Sequence, residues 1–214
     1  VCVPIKQEDR IEFEKELVYV TSLWKVKPIL KGFTEETTIT ILKETKDYIF
    51  IKDSSGRDNR SMFGSQTFIA LIDEIPYKLE KDKLTDYKEL EEISDRIYDK
   101  YKLVLKYNTG EVSVSGSRED VEYVNDNYEK FVEKAKIVII EGEKLIEKFL
   151  NSASSYVEAC TYGNFISQNQ SYHYSNNQEE IKGWNVKYLI YLAKLSGIKS
   201  IHYGQEKLFK EFNG

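Results

Sequence analysis

Cysteine and histidine are nearly missing from this sequence. Two cysteines, Cys2 and Cys160, in 214 residues cannot build a disulfide framework. Neither belongs to a Cys-x-x-Cys or Cys/His cluster with metal-ligand spacing, so a reducing, cytoplasmic setting and no bound metal are expected. The two histidines, His173 and His202, sit in polar or basic stretches with no serine or cysteine elbow beside them, which leaves little near-neutral acid–base chemistry. No catalytic residue is nominated, no cofactor is expected, and an enzyme is the less favoured class. The run of about eighteen apolar residues that a membrane helix needs is also missing, and Val1 to Lys15 is too charged for a signal peptide.

What remains is the composition of a folded protein, 41% hydrophobic and 31% charged. A net charge of −5 argues against a surface that coats nucleic acid or anionic membrane as a whole. Carboxylates are so abundant that their spacing carries little information.

The strongest signal is a heptad-like stripe from Ser117 to Leu150. Val121, Val124, Tyr128, Phe131, Ala135, Val138, Gly142, Leu145 and Phe149 recur at steps of three and four, and Ser117-Arg118-Glu119-Asp120 has the hydroxyl-then-acid order of a helix N-cap. One long helix is predicted, longer than a compact domain of this size needs. Its surplus length suggests a coiled-coil-like seam through Val124, Phe131, Val138 and Leu145, joining the protein to itself or to another protein.

The fold class expected is α+β. A small N-terminal antiparallel β-sheet or partly open barrel precedes a mainly helical region built on the long helix with a β-hairpin. From Val1 to Lys31, Ile11, Phe13, Leu17, Tyr19 and Leu23 alternate as in a strand while Ile11, Val18, Thr21 and Trp24 would also line a helix; the β-branched and aromatic run Leu17 to Thr21 favours extended structure from Leu17 onward. Thr37 to Leu42 and Tyr48 to Ile51 read as a hairpin, Gln66 to Ile72 as a third strand, and Pro76 as the end of the sheet. A helix opens at Thr85 or Asp86 with Tyr87, Leu90, Ile93, Ile97 and Tyr101 on one face. Leu103 to Tyr107 and Val112 to Val114 form the hairpin across Asn108-Thr109-Gly110. The division expected is 1–80 as a β domain, 84–150 as a helix, hairpin and long-helix unit, 151–180 as a polar Tyr/Ser/Asn-rich loop and 181–214 as a C-terminal helical pair.

Three functional readings follow. The first is a non-catalytic binding or protein-interaction module that oligomerises through the long helix. The polar loop, with Tyr162, Tyr172, His173 and Tyr174, supplies a ligand surface suited to stacking. The second is nucleic-acid binding by the tail, where six lysines face two glutamates after Ile181, against 25 basic and 34 acidic residues elsewhere. Leu192 to Ile198 resembles the first helix and turn of a helix-turn-helix, which would turn Lys194, Lys199, His202, Lys207 and Lys210 toward a groove. The third is an enzyme acting on a phosphorylated or nucleotide ligand through Asp53 to Ser61, where Arg57 and Arg60 lie among glycine and serine, although no Walker spacing is present. Asp73 and Glu74, with Gly64-Ser65 before them, suggest paired metal-holding acids, but neighbours on a strand would face opposite ways.

Overall fold

The computed structural model describes residues 4–29, 31, 38–54, 63, 66–84, 88–96, 101–168, 180–181, 183–196, 202–203 and 206–207. The class is α+β, an open five-stranded mixed sheet with one long helix and several shorter ones. The chain divides into two compact units, Val1–Lys88 with Tyr98–Phe131 and Glu89–Ile97 with Val132–Gly214.

The first unit opens with α1 (Arg10–Thr21), where extended structure was expected from Leu17 onward. Local β propensity loses here to side-chain anchoring. Tyr19 is buried, meets the Phe63 ring edge-on at 5.3 Å and donates its hydroxyl to Pro76 O at 2.8 Å, while Thr21 donates back to Leu17 O within the last turn.

There follow along the chain β1 (Thr38–Glu44), β2 (Tyr48–Ser54), β3 (Phe68–Ile72), β4 (Ile75–Lys78), α2 (Lys81–Leu84), α3 (Lys88–Arg96), which from Glu89 on belongs to the second unit, and β5 (Tyr101–Tyr107). The strands order as β1-β2-β5-β3-β4, with β5 antiparallel to β2 and parallel to β3. Leu103 to Tyr107 is therefore a central strand rather than the first arm of a hairpin. Both of its edges are taken, so Val112 to Val114 cannot pair with it; Val114 bridges Val121 instead. The pattern fits that position: Tyr48 to Ile51, all of β3 and Tyr101 to Leu105 are buried on both faces, as inner strands must be. The helix face drawn to Tyr101 is likewise shorter than expected, because Tyr101 opens β5; Leu90 and Ile93 of α3 are buried as predicted.

Pro76 does not end the sheet but lies in β4, opposite Leu71. Asp73 and Glu74 occupy the two-residue turn between β3 and β4, both at positive φ (49° and 69°), the signature of a type I′ hairpin turn. They are turn residues, so the strand argument about their facing does not apply; Asp73 accepts a hydrogen bond from the Thr109 hydroxyl and Glu74 pairs with Lys25 at 3.8 Å.

The long helix, α4 (Asn125–Asn151), begins eight residues after Ser117. The cap-like Ser117 to Asp120 stretch closes a loop instead: Arg118 N–H donates to Ser115 O, Ser115 N–H donates to Asp120 O, and Arg118 sits at φ 58°. Helix entry is fixed by Asn127, which is fully buried. Its Oδ1 accepts from Ser113 N–H at 3.0 Å, and its Nδ2 donates to Ser113 O at 3.0 Å and Glu122 O at 2.7 Å.

In the second unit, α5 (Tyr156–Gln168) stands where a polar loop was expected from Asn151 onward. Its buried face is Ala159, Tyr162, Gly163 and Ile166, a helical spacing. Beyond it come β6 (Glu180–Ile181), β7 (Trp184–Asn185), α6 (Val186–Ser196), β8 (His202–Tyr203) and β9 (Glu206–Lys207). Asn185 caps α6 by accepting from Tyr188 N–H at 3.0 Å. His202–Tyr203 and Glu206–Lys207 pair antiparallel as β8 and β9, and the second tail helix expected through Leu208 to Phe212 lies outside the described residues.

Candidate functional site

The four residues proposed for the helix seam differ in exposure. Phe131 and Val138 have no exposed surface, Leu145 is half-buried, and Val124, 44% exposed, precedes the helix instead of lying on it. Phe131 packs edge-on with Tyr107 at 5.8 Å and Tyr128 at 6.2 Å, so this seam is already filled within the chain. Helix α4 gives Asn125–Phe131 to the first unit and its remaining turns to the second.

The other expected residues do not converge. Tyr162 is buried and stacked on Phe149 at 4.7 Å, with its hydroxyl given to Glu158 at 2.6 Å, so its ring face is not open for ligand stacking. Burial lowers the pKa of Lys194, a half-buried residue of α6. His202 and Lys207 face each other across the β8–β9 pair, not along a recognition helix. Arg57, Arg60, Tyr172, His173, Tyr174, Lys199 and Lys210 lie outside the described residues. Near the end of β2, Asp53 accepts from Phe63 N–H at 2.9 Å. Lys102, opposite Ile51, lies on the same sheet face one diagonal step from Asp53; both are buried and neither is without a partner.

The feature with unused bonding capacity is an edge of the sheet. On β2 the hydrogen-bonding sides alternate: Asp47 O accepts from Lys106 N–H on the β5 side, and Tyr48 O accepts from Thr45 N–H on the β1 side. Even-numbered residues of β2 therefore bond β1, and their partners Thr38 (opposite Ser54) and Thr40 (opposite Lys52) point inward. Ile39 and Ile41 turn their N–H and C=O groups outward, with no partner among the described residues. Ile41 is 51% exposed and Thr40 is exposed beside it. The run is bounded by a β-bulge between Ile41 and Lys43 and by the charged pair Lys43-Glu44, devices that limit edge pairing to a short, fixed stretch.

The opposite edge is blocked at Pro76, one of the two outward-facing residues of β4. Pro76 points outward on β4, where its ring leaves no N–H, and its carbonyl is occupied by the Tyr19 hydroxyl. Lys78 lies over the Tyr19 ring at 4.3 Å. Burial, reinforced by the charges of Glu16, Asp120 and Tyr77, holds the Tyr19 phenol well above its ordinary pKa. A folded-state pKa raised above the unfolded one gives stability that is complete below about pH 10 and fades above it. Tyr19→Phe is expected to cost about 1 kcal/mol at neutral pH through the lost hydrogen bond. That deficit should shrink as pH rises through about 10, because only the wild type carries the alkaline penalty; a deficit that stays constant in urea unfolding from pH 8 to 11 would refute the assignment.

No known family, curated protein or solved structure matches this chain. Geometry alone must then nominate a function. In the five-stranded sheet it offers one unobstructed edge and one blocked at Pro76, and among the described residues no helix is long and apolar enough to cross a membrane.

Proposed function

We propose that this chain is a non-catalytic interaction module that takes an extended partner strand onto the free edge of β1. The observation that carries the reading is the pair of outward N–H and C=O sets at Ile39 and Ile41, beside an exposed Ile41 side chain. Main-chain hydrogen bonds supply affinity in such pairing, and the alternate side chains supply choice of partner. The proposal gives the oligomerising role expected of the long helix to this edge, a choice supported by the burial of Phe131 and Val138. A reducing, cytoplasmic setting is part of the proposal, and Cys160 is free.

The test is fluorescence anisotropy with a labelled peptide of sequence Thr-Ile-Thr-Ile-Leu-Lys-Glu. Wild-type protein is expected to bind it, and Ile41→Pro to abolish binding, because proline deletes an outward N–H without touching the inward pairs at Thr38 and Thr40. Equal affinity for both proteins, or no binding by either at millimolar peptide, would sink the reading.

A further inference from the structure

We infer that the strand received at the β1 edge is β1 of a second copy of this chain, paired antiparallel about a two-fold axis through Thr40. The inference rests on the edge reading above and adds the occupant. Only outward-facing residues can exchange hydrogen bonds across a new pair. In a symmetric antiparallel pairing centred on Ile41, Ile39 would meet Lys43, which lies across the bulge and faces Phe50 of its own sheet. Centred on Ile39, Ile41 would meet a residue preceding β1. Centred on Thr40, Ile39 meets Ile41 of the copy and Ile41 meets Ile39, so both outward sets are used in two reciprocal pairs.

The side chains agree with that register. Ile39 and Ile41 share one face of the sheet, as their partners Asp53 and Ile51 require, and Ile39 already packs against the core cluster of Tyr19, Ile49 and Ile51. The half-exposed Ile41 would be covered by the copy's Ile39. On the other face Thr40 lies against Thr40, a favourable cross-strand match. Lys43 and Glu44 fall beyond the overlap, so no like charges are opposed, and Glu44 keeps its 2.6 Å bond from Lys106 Nζ. The overlap is short, so the equilibrium belongs in the micromolar-to-millimolar range of weak self-association.

Sedimentation velocity across that range is expected to show reversible dimerisation, which Ile41→Lys weakens at least about tenfold, since each dimer then carries two lysines where isoleucines met. Register is read by cross-linking in a background with Cys2→Ser and Cys160→Ser. A residue opposite itself in a non-hydrogen-bonded pair has Cα atoms about 4.5 Å apart, within disulfide reach. Thr40→Cys should thus form a covalent dimer under mild oxidation, whereas Ile39→Cys, roughly 8–9 Å from its copy, should not. A chain that stays monomeric at hundreds of micromolar, or that cross-links equally through both cysteines, overturns the second-copy occupant. Peptide binding by such a monomer would leave the open-edge reading standing, and loss of both would end the two together.

Discussion

Truncating Phe131 to alanine is expected to cost about 4 kcal/mol of folding stability, near the middle of the range for a fully buried phenylalanine. The ring has no exposed surface and makes edge-on contacts with Tyr107 and Tyr128. Those contacts add to the burial, since edge-to-face aromatic pairs contribute about 0.5–1.5 kcal/mol beyond area. Tyr107 is held in turn by its hydroxyl bond to Lys130 O at 3.2 Å, so its ring cannot swing freely into the vacated space. Chemical denaturation measures the loss, and sedimentation of the folded fraction serves as a control. If Phe131→Ala left stability within about 1 kcal/mol of wild type and instead dissociated an oligomer, Phe131 would belong to an interface and the burial argument would be wrong.

A second large effect is expected at Asn127, where one side chain replaces a stretch of missing ladder. Its amide accepts from and donates to the backbone of Ser113 as a neighbouring strand residue would, and also holds Glu122 O. Asn127→Ala should cost about 2 kcal/mol; the value is held below that of a wholly buried network because Ser113 and Glu122 are exposed enough to recruit water. Asn127→Asp is the sharper probe, since it keeps the acceptor while turning the donor into an oxygen that faces two carbonyls. Burial and those oxygens would raise its carboxyl pKa, so the Asp variant should lose ground to the Ala variant as pH climbs above the ordinary carboxylate range. Urea unfolding of both variants at pH 4 and pH 7.5 decides it, and a pH-independent gap between them would show that Asn127 does not face these groups.

How far the sequence foretold this arrangement depended on whether the deciding forces were local. Strands β1, β2 and β3 were legible because alternating apolar runs and the turn between β1 and β2 lie within a few residues of one another. The start of α4 was not, because Ser117-Arg118-Glu119-Asp120 has the composition of a cap but spends its hydrogen bonds on Ser115, a preference set by the Val114–Val121 bridge. Helix α1 was misread since Val18 and Tyr19 suit a strand equally well until Pro76, far along the chain, accepts the Tyr19 hydroxyl. Helix α5 was hidden by its own chemistry, as small and polar residues such as Ala159, Gly163 and Tyr162 make its buried face. The candidate edge was the least accessible to sequence. Which groups of Ile39 and Ile41 face outward follows from β5 lying on the far side of β2, and strand neighbours of that kind leave no trace in a local pattern.

The Tyr19–Pro76 contact bears on the size of any assembly. A sheet with two open sides can add chains without limit, the route by which edge-to-edge pairing becomes a fibre. Here the β4 side of the five-stranded sheet is obstructed at Pro76 by a ring without an N–H and a carbonyl already engaged, so pairing is favoured on the β1 side. When two such chains meet edge to edge through identical surfaces, each uses up the other's β1 edge, and the two-fold symmetry of that contact favours a closed pair.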